Sequence, residues 1–284
     1  MEFTADPDAA EFAANALPLL RRDPVANNVV TSLALAHAQG QLPADPANRW
    51  IRITDAGELV GVAAWIPPRG PVLSTMEPDA AAALADHLST ADVGTVAGPA
   101  ASSDAFARRY AVQTGARPEI GLDLVVYRLG ELRRPAGVPG ELREAGPRDR
   151  ELLVEWLYRF AVDAIPHQAP ADPTPIVDGR LRAGGQIWIW EAHGAPACCV
   201  LAASAVEGVT RLSHAYTPPE LRGKGFGAAA VAGSAEALRR RGAAVMLNAD
   251  VHNPITNRIY RRMGFEAVGR AREWALRPVS RDDG

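Results

Sequence analysis

Tyr216-Thr-Pro-Pro-Glu-Leu-Arg222-Gly-Lys-Gly225-Phe-Gly227 reads as the end of a β-strand, a proline turn, and a glycine-rich lead-in to an Ala-rich helix expected over 225–241. The first turn of a helix presents N–H groups without intrahelical partners at the positive end of the helix dipole. Glycines let an anion approach such amides without a Cβ in the way, and Arg222 and Lys224 add positive charge. The chemistry points to a phosphate. Two other phosphate loops fail on the same residues. A P-loop requires Gly at 218 and Ser or Thr at 225, where the chain has Pro218 and Gly225. A dinucleotide fingerprint requires G-x-G-x-x-G soon after the first strand of a βαβ unit, whereas the glycines here are Gly223, Gly225 and Gly227, preceded by an antiparallel-looking meander.

One helix and one strand later comes Asn253-Pro-Ile-Thr-Asn257-Arg-Ile-Tyr260-Arg-Arg-Met-Gly264-Phe265. Asn253 as cap and Pro254 in the first turn predict a helix over 254–263. Helical spacing puts Ile255 and Ile259 on one face and Thr256, Tyr260 and Met263 on the next, so Tyr260 points a different way from Ile259, which is expected to anchor the helix. On the strand expected over 210–217, alternation places Arg211, Ser213 and Ala215 on one face and Leu212, His214 and Tyr216 on the other. Asp250, Glu191 and His214 are the candidates for a general base, and nothing in the sequence chooses among them or excludes a water chain.

The two segments together carry the R-x-x-G-x-G signature and downstream helix of the GCN5-related N-acetyltransferases, the GNAT superfamily, which the chain resembles over about 140–275 in element order and most closely over 210–269. The resemblance implies that Arg222, Gly223, Lys224, Gly225, Phe226 and Gly227 cradle the pyrophosphate of acetyl-CoA. It implies that backbone groups of Ala215, Tyr216 and Thr217 pair with the pantetheine arm, which Asn253 also contacts. It further implies that the strands at 210–217 and 244–250 splay apart, and that Tyr260 protonates the departing thiolate. The activity implied is transfer of an acetyl group to a primary amine of a small molecule, peptide or protein. The rival reading from another class is a regulatory protein that senses an acyl-CoA without turnover. The acceptor itself is not encoded legibly; the Pro-rich loop from His167 to Pro175 and the acidic Asp163, Asp172 and Asp178 are where a cationic amine would meet the chain.

Gly130 to Gly140 gathers proline, glycine and charge and splits the chain into 1–132, a linker at 133–140, and 141–284. Both halves run through a similar order of elements. The expectation is therefore an α/β (α+β) protein of two GNAT-like domains, each a mixed, mostly antiparallel sheet flanked by helices, with splayed central strands in the second. In the first half the counterpart of the glycine loop is Ser74-Thr-Met-Glu77-Pro-Asp79-Ala80, which has no glycine and places two carboxylates where phosphates would lie. The first copy is expected to be degenerate and the second to bind acetyl-CoA.

Composition fits this reading. The chain has 284 residues, 48% hydrophobic and 22% charged, enough for two folded domains. A net charge of −3 argues against a nucleic-acid backbone or an anionic membrane as the main partner, and Arg239-Arg240-Arg241 reads as charge complementing a helix end. No stretch reaches the roughly 18 apolar residues of a membrane span, and the acidic N-terminus does not read as a secretory signal, so the cytoplasm is the expected compartment. Two adjacent cysteines, Cys198 and Cys199, read as small core residues rather than as metal ligands or a staple, so no metal is expected. The oligomeric state is open.

Overall fold

The computed structural model describes residues 1–164 and 172–278, which form two compact units. The first comprises Met1–Val126, Ala249–Asn253 and the chain from Ala267 onward; the second comprises Tyr127–Asn248 and Pro254–Glu266.

The first unit opens with β1 (Glu2–Asp6), α1 (Ala9–Leu20) and α2 (Asn28–Ala38). It continues through β2 (Arg49–Asp55), β3 (Glu58–Trp65), β4 (Pro71–Leu73), α3 (Pro78–His87), β5 (Thr95–Pro99), α4 (Ala100–Thr114) and β6 (Arg117–Leu129), whose last three residues group with the second unit. Asp8 starts α1 by accepting from the amides of Ala10 and Glu11. Strands β1 to β4 pair antiparallel, and β4 pairs parallel with β5 at Val72–Ala97. Alternation divides the core between the two sheet faces. Ile51, Ile53 and Leu73 pack with Leu84, Phe106 and Tyr110 of α3 and α4, while Trp50, Val62 and Ala64 pack with Phe12, Leu20 and Val30 of α1 and α2. Burial of each large side chain is worth roughly 1.5–3 kcal/mol.

The second unit contains β7 (Glu141–Glu144), a 3-10 turn at Pro147–Asp149, α5 (Arg150–Ala164), α6 (Thr174–Ala183), β8 (Ile187–Ala192), β9 (Ala195–Ala202) and β10 (Val209–Tyr216). After these come α7 (Phe226–Arg240), β11 (Ala244–Asp250), α8 (Pro254–Arg262) and the start of β12 (Phe265–Arg277). Strands β7 to β10 pair antiparallel and β10 pairs parallel with β11. This repeats β2-β3-β4-α3-β5 of the first unit, parallel pair included. Leu153, Trp156, Leu157 and Val177 of α5 and α6 cover Ile187, Ile189, Cys199, Leu201 and Tyr216 on one face. The alternate residues Trp188 and Trp190 line a cavity of about 520 Å³ with α7 residues such as Ala229 and Gly233 on the other face. Arg143 ties β7 down, reaching Asp149 at 2.8 Å and Glu191 at 2.6 Å. The segment before β7 is fixed by its backbone: Arg133 N–H donates to Met263 O, and Pro139 O accepts from Trp190 Nε1. Gly264, at φ 93°, allows this close approach, since a Cβ there would lie 1.8 Å from Glu131 O.

The sequence pattern predicts helices over 9–22 and 24–38, a strand over 71–76 and a last strand over 265–274 in the second domain, and the structure differs at four points. Strand β1 was not anticipated, because five residues with a polar-rich pattern carry little periodicity. The first two helices, expected over 9–22 and 24–38, end and begin further from Pro24, where Asp23 accepts from the amides of Val25 and Ala26 and folds the chain into turns. Strand β4 stops at Leu73 rather than Met76, because past Ser74 the amides of Thr75 and Met76 turn to side-chain acceptors. The last strand, expected to close the second domain, pairs antiparallel with β5 from Ala271–Pro99 to Ala275–Thr95 and groups with the first unit.

Candidate active site

Strand β10 is irregular where the glycine-rich segment begins. Its ladder with β9 runs Leu212–Ala202 and Ser213–Leu201, then resumes at Tyr216–Cys199, so three steps on β10 face two on β9. This is a β-bulge, and His214 within it takes φ 47°, a left-handed conformation uncommon for a non-glycine residue. The bulge overturns simple alternation: Tyr216 lies on the same face as Ser213 and Arg211, against Trp156 of α5 at 6.0 Å. The parallel ladder of β10 with β11 covers Val209–Ala244 to Leu212–Leu247. Beyond that pair the two strands run on, to Tyr216 and Asp250, without further pairing to each other among the described residues.

The chain then enters a 3-10 turn at Pro219–Leu221 and the glycine loop. Gly223 and Gly225 both have left-handed φ, 79° and 85°, and Gly225 is the N-cap of α7 with no side chain capping it. The first amides of α7 therefore have no side-chain acceptor at their N-cap. A Cβ on Gly225 would lie 2.9 Å from Val138 Cγ2, so glycine serves both conformation and space. Arg222 is committed within the protein: its amide donates to Pro219 O, its Nε to Thr217 O at 3.0 Å, and its guanidinium to Asp163 at 3.0 Å. Lys224 is exposed, and Phe226 is buried, so Phe226 offers only its backbone to a ligand.

Helix α8 holds Tyr260 against Tyr127 and Phe265, with ring centroids 6.1 and 5.8 Å away. Burial pushes the Tyr260 hydroxyl up to about 12, helped by Cys198 and Tyr127, so it stays protonated. Burial likewise pushes the Cys198 thiol up to about 12. Both cysteines are fully buried and reduced. The helix is not anchored by its isoleucines: Ile255 is 70% exposed and Ile259 36% exposed. Asn257 is the inward residue, accepting from the Tyr127 hydroxyl at 2.9 Å, with Met263 also buried. Asn253 is exposed immediately before α8, its amide donating to Asp250 O.

The base candidates separate by environment. Glu191 pairs with Arg143, and Asp250 accepts from the His252 amide at 2.8 Å as a turn former. His214 lies 4.9 Å from the Phe160 ring with Nδ1 3.0 Å from Ser213 Oγ. Burial, with the charges of Arg180 and Arg211, lowers its pKa to about 4, which makes it neutral and a weak base. The acidic side chains expected near the acceptor are engaged: Asp163 with Arg222, Asp178 with Arg150 at 2.6 Å, and Asp172 with the Thr174 amide. His167–Ala171 of the loop expected there lie outside the described residues. One residue went unnoticed in the sequence. Asn248 is the first β11 residue beyond the last β10 pair, and its buried Oδ1 has no hydrogen-bond partner among the described residues.

In the first unit the corresponding loop has internal partners. The Thr75 amide donates to Asn27 Oδ1 at 2.7 Å and the Met76 amide to Ser102 Oγ at 3.1 Å, while α3 starts at Glu77 and Pro78. Amides held this way, beside Glu77 and Asp79, do not form an anion cradle. Among the described residues no three His, Cys, Asp or Glu side chains gather as metal ligands, and no helix is long and apolar enough to cross a membrane.

Residues 151–265 match the family model described as acetyltransferase (GNAT) family. No protein of curated function matches the sequence. Among solved structures, the chain is similar to an acetyltransferase of the GNAT family from Colwellia psychrerythraea, with TM-score 0.59 and 11% identity over 98% of this chain and 100% of that one. It is similar to a GCN5-related N-acetyltransferase from Sphaerobacter thermophilus, with TM-score 0.62 and 16% identity over 96% and 94%. It is also similar to a tandem GNAT protein from the clavulanic acid biosynthesis pathway, with TM-score 0.56 and 15% identity over 98% and 99%. At these identities the likeness is one of fold, and it extends along nearly the whole chain. Residues 151–265 thus form a domain that matches the GNAT acetyltransferase family, and the GNAT fold extends along nearly the whole chain.

Proposed function

We propose that the protein transfers the acetyl group of acetyl-CoA directly to a primary amine. The observation that carries this reading is the parting of β10 from β11 after Leu212–Leu247, beside the uncapped, glycine-lined start of α7. The left-handed Gly223 and Gly225 leave the loop free of Cβ atoms, and the amides from Gly223 to Gly227, with Lys224, suit a pyrophosphate. Arg222 shapes this loop from behind through Thr217 O and Asp163. Backbone groups of Ala215, Tyr216 and Thr217, and Asn253, are assigned to the pantetheine arm.

In the reaction the neutral amine attacks the thioester carbonyl, the C–S bond breaks, and the amine loses a proton to water, from which the general acid is reprotonated after it has given its own proton to the thiolate. The bulge at His214 and Ala215 turns backbone N–H groups away from regular pairing, and one of these is assigned to the developing oxyanion. Tyr260, protonated at all working pH values, is assigned to donate its proton to the departing thiolate. The first unit has no comparable anion cradle and is assigned a supporting role. Calorimetric titration with acetyl-CoA tests the reading: saturable one-site binding, lost in Gly225→Glu, is the expected result. Absence of binding by folded wild type would overturn it. Binding with no transfer to any amine in a broad panel would instead favour an acyl-CoA sensor.

A further inference from the structure

Arginines of this protein with little side-chain exposure are paired: Arg52 meets Asp6 at 2.8 Å, Arg143 meets Asp149 and Glu191, and Arg272 meets Asp104 and Asp123. Arg180 and Arg211 break this pattern. Both are partly buried, and among the described residues neither guanidinium meets a carboxylate. Arg180, in the last turn of α6, donates to Ala202 O at the end of β9. That bond uses one of the five N–H donors of its fork. Arg211 lies on β10 directly before the bulge, opposite Met246 of β11. The two charges are close enough to repel: burial and the charge of Arg211 lower the Arg180 pKa to about 10, and burial lowers that of Arg211.

The same sheet face carries an acceptor. Arg211 and Met246 are ladder partners and share a face, and alternation along β11 returns Asn248 to it. The Asn248 Oδ1 is buried and unpartnered, at the point where β10 and β11 separate. Unpaired guanidiniums beside an unpaired carbonyl oxygen are complementary to a molecule carrying both an anion and an N–H group.

We propose that the amine acceptor carries an oxyanion, a carboxylate or a phosphate, which Arg180 and Arg211 bind while Asn248 Oδ1 accepts from the amine nitrogen. This rests on the transferase reading for the identity of the ligand as acceptor, and on the geometry alone for the anion subsite. Guanidinium forks match the paired oxygens of carboxylate and phosphate alike, and a bound anion relieves the repulsion between the two arginines.

The test uses the full-length protein with CoA present and matched probes: β-alanine against β-alaninamide, and phosphoethanolamine against ethanolamine. Binding is followed by calorimetry and transfer by thiol release. At least one anionic member should bind at least about tenfold more tightly than its neutral or cationic counterpart, the member favoured distinguishing carboxylate from phosphate. Arg211→Gln and Arg180→Gln should each remove that preference, Arg211→Lys should restore part of it, and acetyl-CoA affinity should not change. Equal affinity within both pairs, no binding of any probe, or a preference that survives both Gln variants overturns the proposal. Anion-selective binding without thiol release leaves the subsite standing and counts against the transferase reading instead.

Discussion

The Tyr127 hydroxyl donates to Asn257 Oδ1 at 2.9 Å, joining residues 130 positions apart in a buried contact. The same Tyr127 ring flanks Tyr260, so this bond fixes the helix that carries the proposed acid. Tyr127→Phe removes the donor while keeping the ring. Denaturant unfolding should show a loss of about 1–2 kcal/mol, with acetyl-CoA affinity unchanged. A variant as stable as wild type would show that Asn257 is held by other contacts.

Tyr260→Phe isolates the acid. A drop in kcat of roughly 100-fold is expected, with CoA affinity unaltered, because the hydroxyl acts on the leaving thiolate rather than on binding. With its pKa near 12, Tyr260 should contribute no descending alkaline limb to the pH profile of kcat below about pH 11. A limb near pH 9 that disappears in the Phe variant would contradict the environment described for this side chain.

Gly225→Ala tests the loop more gently than a charged substitution. Left-handed φ disfavours alanine by roughly 1–2 kcal/mol, and the new Cβ presses on Val138. A fall in CoA affinity of about tenfold, read by calorimetry, is expected. Ala at Gly208, also left-handed but with open space around it, is the control: it should lower stability and spare CoA binding.

Neutral His214 links stability to pH. Its folded pKa of about 4 lies below the unfolded value, so the unfolded chain binds the proton more readily. Its contribution is intact above about pH 6.5 and is lost as pH falls toward 4, by at most about 3 kcal/mol. His214→Asn, which tolerates left-handed φ, should flatten this part of the stability curve relative to wild type. Parallel curves for the two proteins between pH 7 and 4 would refute the assignment.

The order of helices and strands was legible because each segment carries its own period and ends at Gly, Pro or a capping residue, as at Asp8, Gly115 and Gly225. The bulge was not. His214 has no local feature that marks φ above zero, and its conformation depends on the neighbouring strand, so strict alternation put Tyr216 on the wrong face. Tertiary partners were equally silent: nothing near Asn257 names Tyr127, and hydrophobicity alone directed attention to Ile259, which faces solvent. The acidic residues expected to attract an amine serve Arg222, Arg150 and a turn, whereas the half-buried Arg180 and Arg211 meet no carboxylate among the described residues. Charge alone in a sequence does not say which ions already have partners.

Strand β12 returns to pair with β5, so the first unit is completed by residues made more than 170 positions after β5. During synthesis, β5 must wait with an open edge until Ala271–Ala275 leave the ribosome, a delay of roughly ten seconds or more at 5–20 residues per second. An N-terminal fragment ending at the linker would keep that edge permanently, with a template free for any passing strand. For this chain a stop codon near the C-terminus would damage the beginning of the protein, and in a cell the consequence would be aggregation of the half that was made first.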